Sequence, residues 1–215
     1  MTLPRWPVWA VLGLLACMAR PGAAGAQPPL PGDSPPERYA PSQSLPACGR
    51  EHVYIYMING LTVLPHMAGS MDRVKPFVEE LGFCNVKVAT HYWRWSFERD
   101  IRRVRAQDPH ARFVLVGYSI GGSVACSMAH ALEQDDIFID LIVYIDAHSF
   151  VNDFTKRPAN VGNIVAINSN AWVLRGKCRA GQECYTVDTR FHLATPRQDE
   201  TLQILAEKVS GPFFP

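Results

Sequence analysis

Phe113-Val114-Leu115-Val116-Gly117-Tyr118-Ser119-Ile120-Gly121-Gly122-Ser123-Val124-Ala125-Cys126-Ser127-Met128-Ala129 decides how this chain folds. The first four residues are an apolar run suited to a buried strand, and the last six carry a helical pattern. Between them stands G-x-S-x-G. A strand, that motif and a helix in direct succession describe a turn so tight that the central serine takes a strained backbone conformation. Side chains two residues before and after it would collide, so both positions take glycine. The strain points the Ser119 hydroxyl out at the top of a sheet. It also leaves the Ile120 backbone N–H at a helix N-terminus, where it stabilises negative charge.

Outward from this turn the chain alternates between two periods. His52 to Ile58 (HVYIYMI) is β-branched and aromatic and ends at Asn59-Gly60, a strand and a turn. Met71, Val74, Phe77, Val78 and Leu81 recur at helical spacing until Gly82 stops them. Val86 to Ala89 predicts a short second strand. Ser96 is placed to cap a helix whose apolar face is Phe97, Ile101 and Val104. Asp108-Pro109 turns into the strand before Ser119, and the following helix is expected to run to about Glu133. Ile137 to Ile145, Val161 to Ile167 and Cys184 to Asp188 are the remaining candidate strands. Thr195-Pro196-Arg197-Gln198 reads as a capping box with proline at the first helical position, opening a last helix with Leu202, Leu205 and Val209. Strands alternating with helices give an α/β fold with a mostly parallel sheet covered on both faces. Ligands of such sheets bind at the carboxyl ends of the strands.

The chain has 215 residues, 47% of them hydrophobic, and a formal net charge of +1. That is one domain with ample core. The charge balance gives no electrostatic reason to expect nucleic acid. Arg5, the apolar stretch Val8 to Ala19 and the A-x-A site Ala24-Gly25-Ala26 read as a signal peptide over residues 1–26. Leu14-Leu15-Ala16-Cys17 is a rival lipobox, which would make Cys17 an acylated membrane anchor. Residues 27–47 are a proline-rich linker, and residues 48–215 form the folded domain. Both leader readings place the mature protein outside the cytoplasm. Cysteine use agrees: Cys178 and Cys184 close a short loop suited to a disulfide, and Cys48 and Cys84 each precede a strand and are positioned to pair. Cys126 falls inside the helix after Ser119 and reads as a buried thiol.

A serine hydroxyl keeps its proton at neutral pH, so Ser119 needs a base within reach and a carboxylate to orient that base. In this fold they follow in the order serine, acid, histidine. His192 lies between the last strand and the last helix and is the candidate base, preferred to His148. Asp146 ends the first strand after the Ser119 helix and is the candidate acid. Glu183, inside the Cys178–Cys184 loop, is its rival. The oxyanion hole should pair the Ile120 N–H with one from the loop after the first strand; Leu61 is the candidate and Thr62 the next. His91-Tyr92-Trp93-Arg94-Trp95 is placed to wall the site or to anchor a loop, and Leu64 to Met67 to form a lip. The span Ser149 to Asn160 is too short for a large lid domain.

GYSIGG at 117–122, YIDAH at 144–148 and RFHLATP at 190–196 together resemble the α/β-hydrolase superfamily, in its small lipase-like and esterase-like branch, over about residues 50–210. An aspartate at the strand end after the Ser119 helix is similar to lipases. The disulfide loop ahead of the histidine resembles cutinases, whose acid lies within that loop, which would favour Glu183. The resemblance implies an acyl-enzyme on Ser119, a small-molecule or lipid ester as substrate, no cofactor and no metal, acting as a monomer. The alternatives are a catalytically silent envelope protein that uses the fold for binding, and an acyltransferase or peptidase with the same triad.

Overall fold

A computed structural model describes residues 50–61, 70–148 and 156–211. The leader, the linker, Cys17, Cys48 and its pairing with Cys84, Thr62 and the lip at 64–67 lie outside the described residues. Six parallel strands form one sheet: β1 Val53–Asn59, β2 Asn85–Thr90, β3 Arg112–Tyr118, β4 Ile139–Ile145, β5 Val161–Ser169 and β6 Glu183–Val187, in the spatial order β2-β1-β3-β4-β5-β6. Four α-helices accompany them: α1 Lys75–Glu80, α2 Arg94–Gln107, α3 Ile120–Glu133 and α4 Asp199–Ser210.

The sheet is buried on both sides because its strands alternate between two cores. Ile55, Met57, Val114, Val116 and Val143 face one core with Phe77 and Val78 of α1 and Ile204, Leu205 and Val209 of α4. Tyr56, Ile58, Phe113, Leu115 and Ile142 face the other, with Phe97 and Ile101 of α2 and Ala125, Met128 and Leu132 of α3. The central strands are apolar at nearly every position for this reason. No connection between consecutive strands is long enough to house a separate lid domain. This is the α/β-hydrolase fold in a minimal form.

Three local expectations are corrected. The helix expected over 71–81 is divided, with a 3-10 turn at Met71–Arg73 before α1. Ser96 is not a cap: a 3-10 turn at His91–Trp93 starts the coil earlier, so α2 begins at Arg94 and Ser96 lies inside it. Thr195 is no cap either. The 3-10 turn His192–Arg197 contains Pro196, and α4 begins only after Gln198. The Thr195 hydroxyl is committed to Asp146 instead, donating to its Oδ2 at 2.6 Å.

Candidate active site

Ser119 stands between β3 and α3 with φ 54° and ψ −124°, a left-handed conformation that is strained for a residue with a Cβ. Close backbone approach enforces it. A Cβ on Gly117 would sit 2.6 Å from the Gly121 carbonyl oxygen, and one on Gly121 would sit 2.9 Å from the Asn59 carbonyl oxygen. The strand ladder continues past the strand ends. The Ser119 N–H donates to the Ile145 carbonyl at 3.0 Å, and the Asp146 N–H donates to the Ile167 carbonyl at 2.8 Å. Ser119 and Asp146 are thus held side by side at the carboxyl edge of the sheet, each one residue beyond its strand.

Asp146 is fully buried, with 0% of its surface exposed. Its carboxylate accepts four donors. Oδ1 takes the Ser169 N–H at 2.7 Å and the Gly176 N–H at 3.2 Å. Oδ2 takes the Thr195 hydroxyl at 2.6 Å and faces His192 Nδ1 at 3.3 Å. Burial by itself would raise its pKa, but the bonds from His192, Ser169 and Thr195 outweigh burial and bring it down to about 2. An ionised carboxylate is acceptor-only, so the His192 nitrogen facing it carries the proton. In the neutral ring that tautomer leaves Nε2 as the acceptor nitrogen.

His192 is itself 8% exposed and is fixed from several sides. Tyr118, the residue before Ser119, stacks on its ring with centroids 4.9 Å apart and donates its hydroxyl to the His192 carbonyl at 3.1 Å. Burial, then the Asp146 charge, raises the Tyr118 pKa, so the phenol keeps that proton. The His148 ring lies 4.9 Å from the His192 ring, and the His148 N–H donates to the Ser119 carbonyl at 3.3 Å. Burial and the neighbouring His192 push the His148 pKa down to about 4, with Asp146 and the Arg175 backbone opposing. His148 is therefore neutral at pH 7, a packing partner of His192.

Glu183 is placed elsewhere. Through the pairs Glu183↔Val165, Val165↔Val143 and Val143↔Val116 it is level with a residue three before Ser119, and three strands to the side. At about 4.8 Å per strand that lateral offset alone is about 14 Å. Its carboxylate takes Lys208 Nζ at 2.8 Å. The Cys178–Cys184 disulfide is formed, as the short loop implied, and such bonds persist in oxidising compartments outside the cytoplasm. Cys126 is a buried free thiol, its pKa raised by burial.

At the first loop, a Cβ on Gly60 would lie 2.9 Å from the Ser119 Cβ, so residues 59–61 run directly beside the serine. Leu61 follows at an exposed position. His91 Nδ1 lies 3.3 Å from the Gly60 carbonyl oxygen, which ties the aromatic stretch to this loop. A groove of about 430 Å³ at the ends of β1 and β2 is walled by the apolar Val88, Ala89, Trp93 and Phe97 together with the polar Asn59, Ser70, Asp72, Thr90 and Ser96. Among the described residues no group of three or more histidines, cysteines, aspartates or glutamates could hold a metal ion.

The sequence reading missed the donors around Asp146. Gly176 acts through its backbone N–H, which has no sequence signature, and Ser169 through its backbone N–H as well as its side chain. Gly176 carried a signal nonetheless. A Cβ there would sit 2.9 Å from the Asp146 Cα, so the loop comes this close only because residue 176 is glycine.

No family model matches the chain, and no curated protein matches it in sequence. Solved structures do share its fold. An α/β serine hydrolase without a lid from Xanthomonas campestris is 17% identical, with 81% of this chain and 87% of that one covered at a TM-score of 0.56. An α/β serine hydrolase homologue from Coxiella burnetii is 11% identical, with 74% and 86% covered and a TM-score of 0.54. The RedJ thioesterase of the prodiginine biosynthetic pathway in Streptomyces coelicolor is 13% identical, with 96% and 97% covered and a TM-score of 0.50. The chain has the α/β-hydrolase fold these proteins have.

Proposed function

We propose that this chain is an exported serine hydrolase that cleaves carboxylic esters through an acyl-enzyme on Ser119. The observation that carries the reading is the buried, four-donor Asp146 carboxylate facing His192 Nδ1, one strand from the strained serine. In this reading His192 Nε2 takes the Ser119 proton as Oγ attacks the ester carbonyl. The imidazolium that forms is stabilised by Asp146 and passes the proton to the departing alcohol. Water then attacks the acyl-enzyme with His192 again as base. The tetrahedral oxyanion is received by the Ile120 N–H at the start of α3 and by a donor from the 59–61 loop, with Leu61 as the candidate. The groove that begins one residue from Gly60 offers an acyl group the apolar Val88, Trp93 and Phe97 beside the polar Ser70, Asp72 and Ser96.

A thioester would follow the same path, since only the leaving group differs. The catalytically silent alternative is separated by one experiment. The full chain is treated with a fluorophosphonate and assayed on a short p-nitrophenyl ester. Covalent labelling of Ser119 with loss of turnover is expected; an unlabelled, inactive chain with native circular dichroism would reject the hydrolase reading.

A further inference from the structure

The exposed large apolar residues of this chain are not scattered. Among the described residues all but Phe138 follow the carboxyl end of a strand. Leu61 follows β1, Trp93 and Trp95 follow β2, Trp172 and Leu174 follow β5, and Phe191 follows β6. Ser119 and Asp146 follow β3 and β4 at this same edge, and two of these loops reach them: the one after β5 carries Gly176 and the one after β6 carries His192. Isolated exposed apolar side chains need no explanation, but a set gathered around one edge marks a binding surface. The loops bearing Trp172 and Phe191 also carry exposed cations, Arg175, Lys177 and Arg190. Their acid is Asp188, whose carboxylate takes Asn170 Nδ2 at 2.6 Å; the next acids in sequence, Asp199 and Glu200, open α4. Aromatics with interspersed cations are the composition that partitions into the headgroup region of an anionic bilayer. No helix among the described residues is long and apolar enough to cross a membrane, so contact through this edge would be peripheral.

We infer that the carboxyl edge of the sheet docks flat on an anionic lipid bilayer, with Trp172 and Phe191 entering the interface and Arg175, Lys177 and Arg190 meeting lipid phosphates. The inference rests on the hydrolase reading for its purpose: with the serine at the centre of the docked face, the ester is drawn from the bilayer. A second copy of the chain is the competing occupant. Charge decides against it, because two such faces would oppose cation to cation.

The test uses the full chain carrying Ser119→Ala, so that binding is read without turnover. Binding is measured by co-sedimentation with phosphatidylcholine vesicles, with and without phosphatidylglycerol. Tighter binding to the anionic vesicles is expected, weakened by salt. Trp172→Ala with Phe191→Ala should weaken it at least about tenfold, and Lys177→Glu with Arg190→Glu at least about tenfold. Brominated acyl chains should quench tryptophan emission less in Trp172→Phe. Absence of vesicle binding overturns the inference. So does binding that neither pair of substitutions alters, since attachment would then not run through Trp172, Phe191, Lys177 or Arg190. So does a dimer that Trp172→Ala dissolves in a chain that ignores vesicles. The hydrolase reading fails separately, through the absence of fluorophosphonate labelling of the unsubstituted chain.

Discussion

Replacing Asp146 by asparagine tests the site at its most buried point. Oδ1 can remain an oxygen, since it accepts the Ser169 and Gly176 N–H groups and asparagine offers one oxygen for them. The amide NH2 then falls where Oδ2 was, facing the Thr195 hydroxyl and His192 Nδ1. An NH2 group donates, so His192 Nδ1 must turn acceptor and its proton moves to Nε2. A protonated Nε2 cannot take the serine proton. The expected loss in kcat is about 10⁴-fold, which corresponds to about 5.5 kcal/mol of transition-state stabilisation. The stability cost is far smaller. A charge-assisted bond from Thr195 and one from His192 are weakened, at about 1.5–3 kcal/mol each before relaxation. The Thr195 hydroxyl, however, has the Phe191 carbonyl 3.5 Å away as a second acceptor. A net cost of about 2 kcal/mol is expected, lowering Tm by about 4–8 °C. Steady-state hydrolysis of a p-nitrophenyl ester and a thermal melt read the two effects. A folded Asp146→Asn chain with kcat within tenfold of the parent would refute the assignment. Glu183→Gln, made alongside, should keep kcat within about twofold, because its carboxylate serves Lys208.

The remaining predictions each touch a different support. Thr195→Val removes the 2.6 Å donor to Asp146 while keeping the side-chain volume, and should lower kcat about tenfold, measured with the same ester; unchanged kcat would mean that His192 needs no such anchor. Asp146 ionises at about 2 in the folded chain against 3.8 when free. Its contribution of about 2 kcal/mol is therefore complete above about pH 4 and lost as pH falls through about 2. In urea unfolding the stability gap between the parent and Asp146→Asn should shrink across that window, and a gap constant down to pH 2 would contradict the cause given. Reduction of Cys178–Cys184, which closes a loop of sequence separation 6, should cost about 2 kcal/mol, seen as a lower Tm in dithiothreitol.

Much of the fold and the positions of Ser119, Asp146 and His192 were legible in the sequence because they depend on local patterns. The apolar run before Gly117 marked β3, and the run Ile137 to Ile145, observed as Ile139–Ile145, placed Asp146 at the same edge without any knowledge of pairing. What failed were expectations in which one residue had two uses. Thr195, three residues before Gln198 and directly before Pro196, satisfies every local rule for a cap. A cap would use its hydroxyl oxygen as an acceptor, but Thr195 lies inside the 3-10 turn His192–Arg197 and α4 starts only at Asp199, while its proton goes to a buried carboxylate 49 positions away. Ser96 lost its role for a simpler reason: the 3-10 turn at His91–Trp93 started the coil before the cap was reached. The choice between Asp146 and Glu183 could not be made locally either, because it depends on register across three strand pairs.

The order β3-β4-β5-β6 also explains how a histidine that follows β6 comes to the edge where a serine follows β3. Asp146 directly follows β4, the immediate neighbour of the strand before Ser119, so it needs no loop to lie beside Ser119. The remaining gap, across β5, is closed by backbone that returns toward Asp146. Ser169 at the end of β5 and Gly176 in the next loop both donate to Oδ1, drawing those segments inward. The 3-10 turn His192–Arg197 is pinned at two points, by Thr195 on Asp146 Oδ2 and by the Tyr118 hydroxyl on the His192 carbonyl. Tyr118 adjoins Ser119 in sequence, so one residue of β3 both precedes Ser119 and fixes His192. The carboxylate at 146 is therefore the structural centre of the edge as well as its charge. Three segments distant in sequence from it, the end of β5, the loop at Gly176 and the turn His192–Arg197, converge on two oxygens, and the negative charge that would orient the His192 proton also gathers those segments.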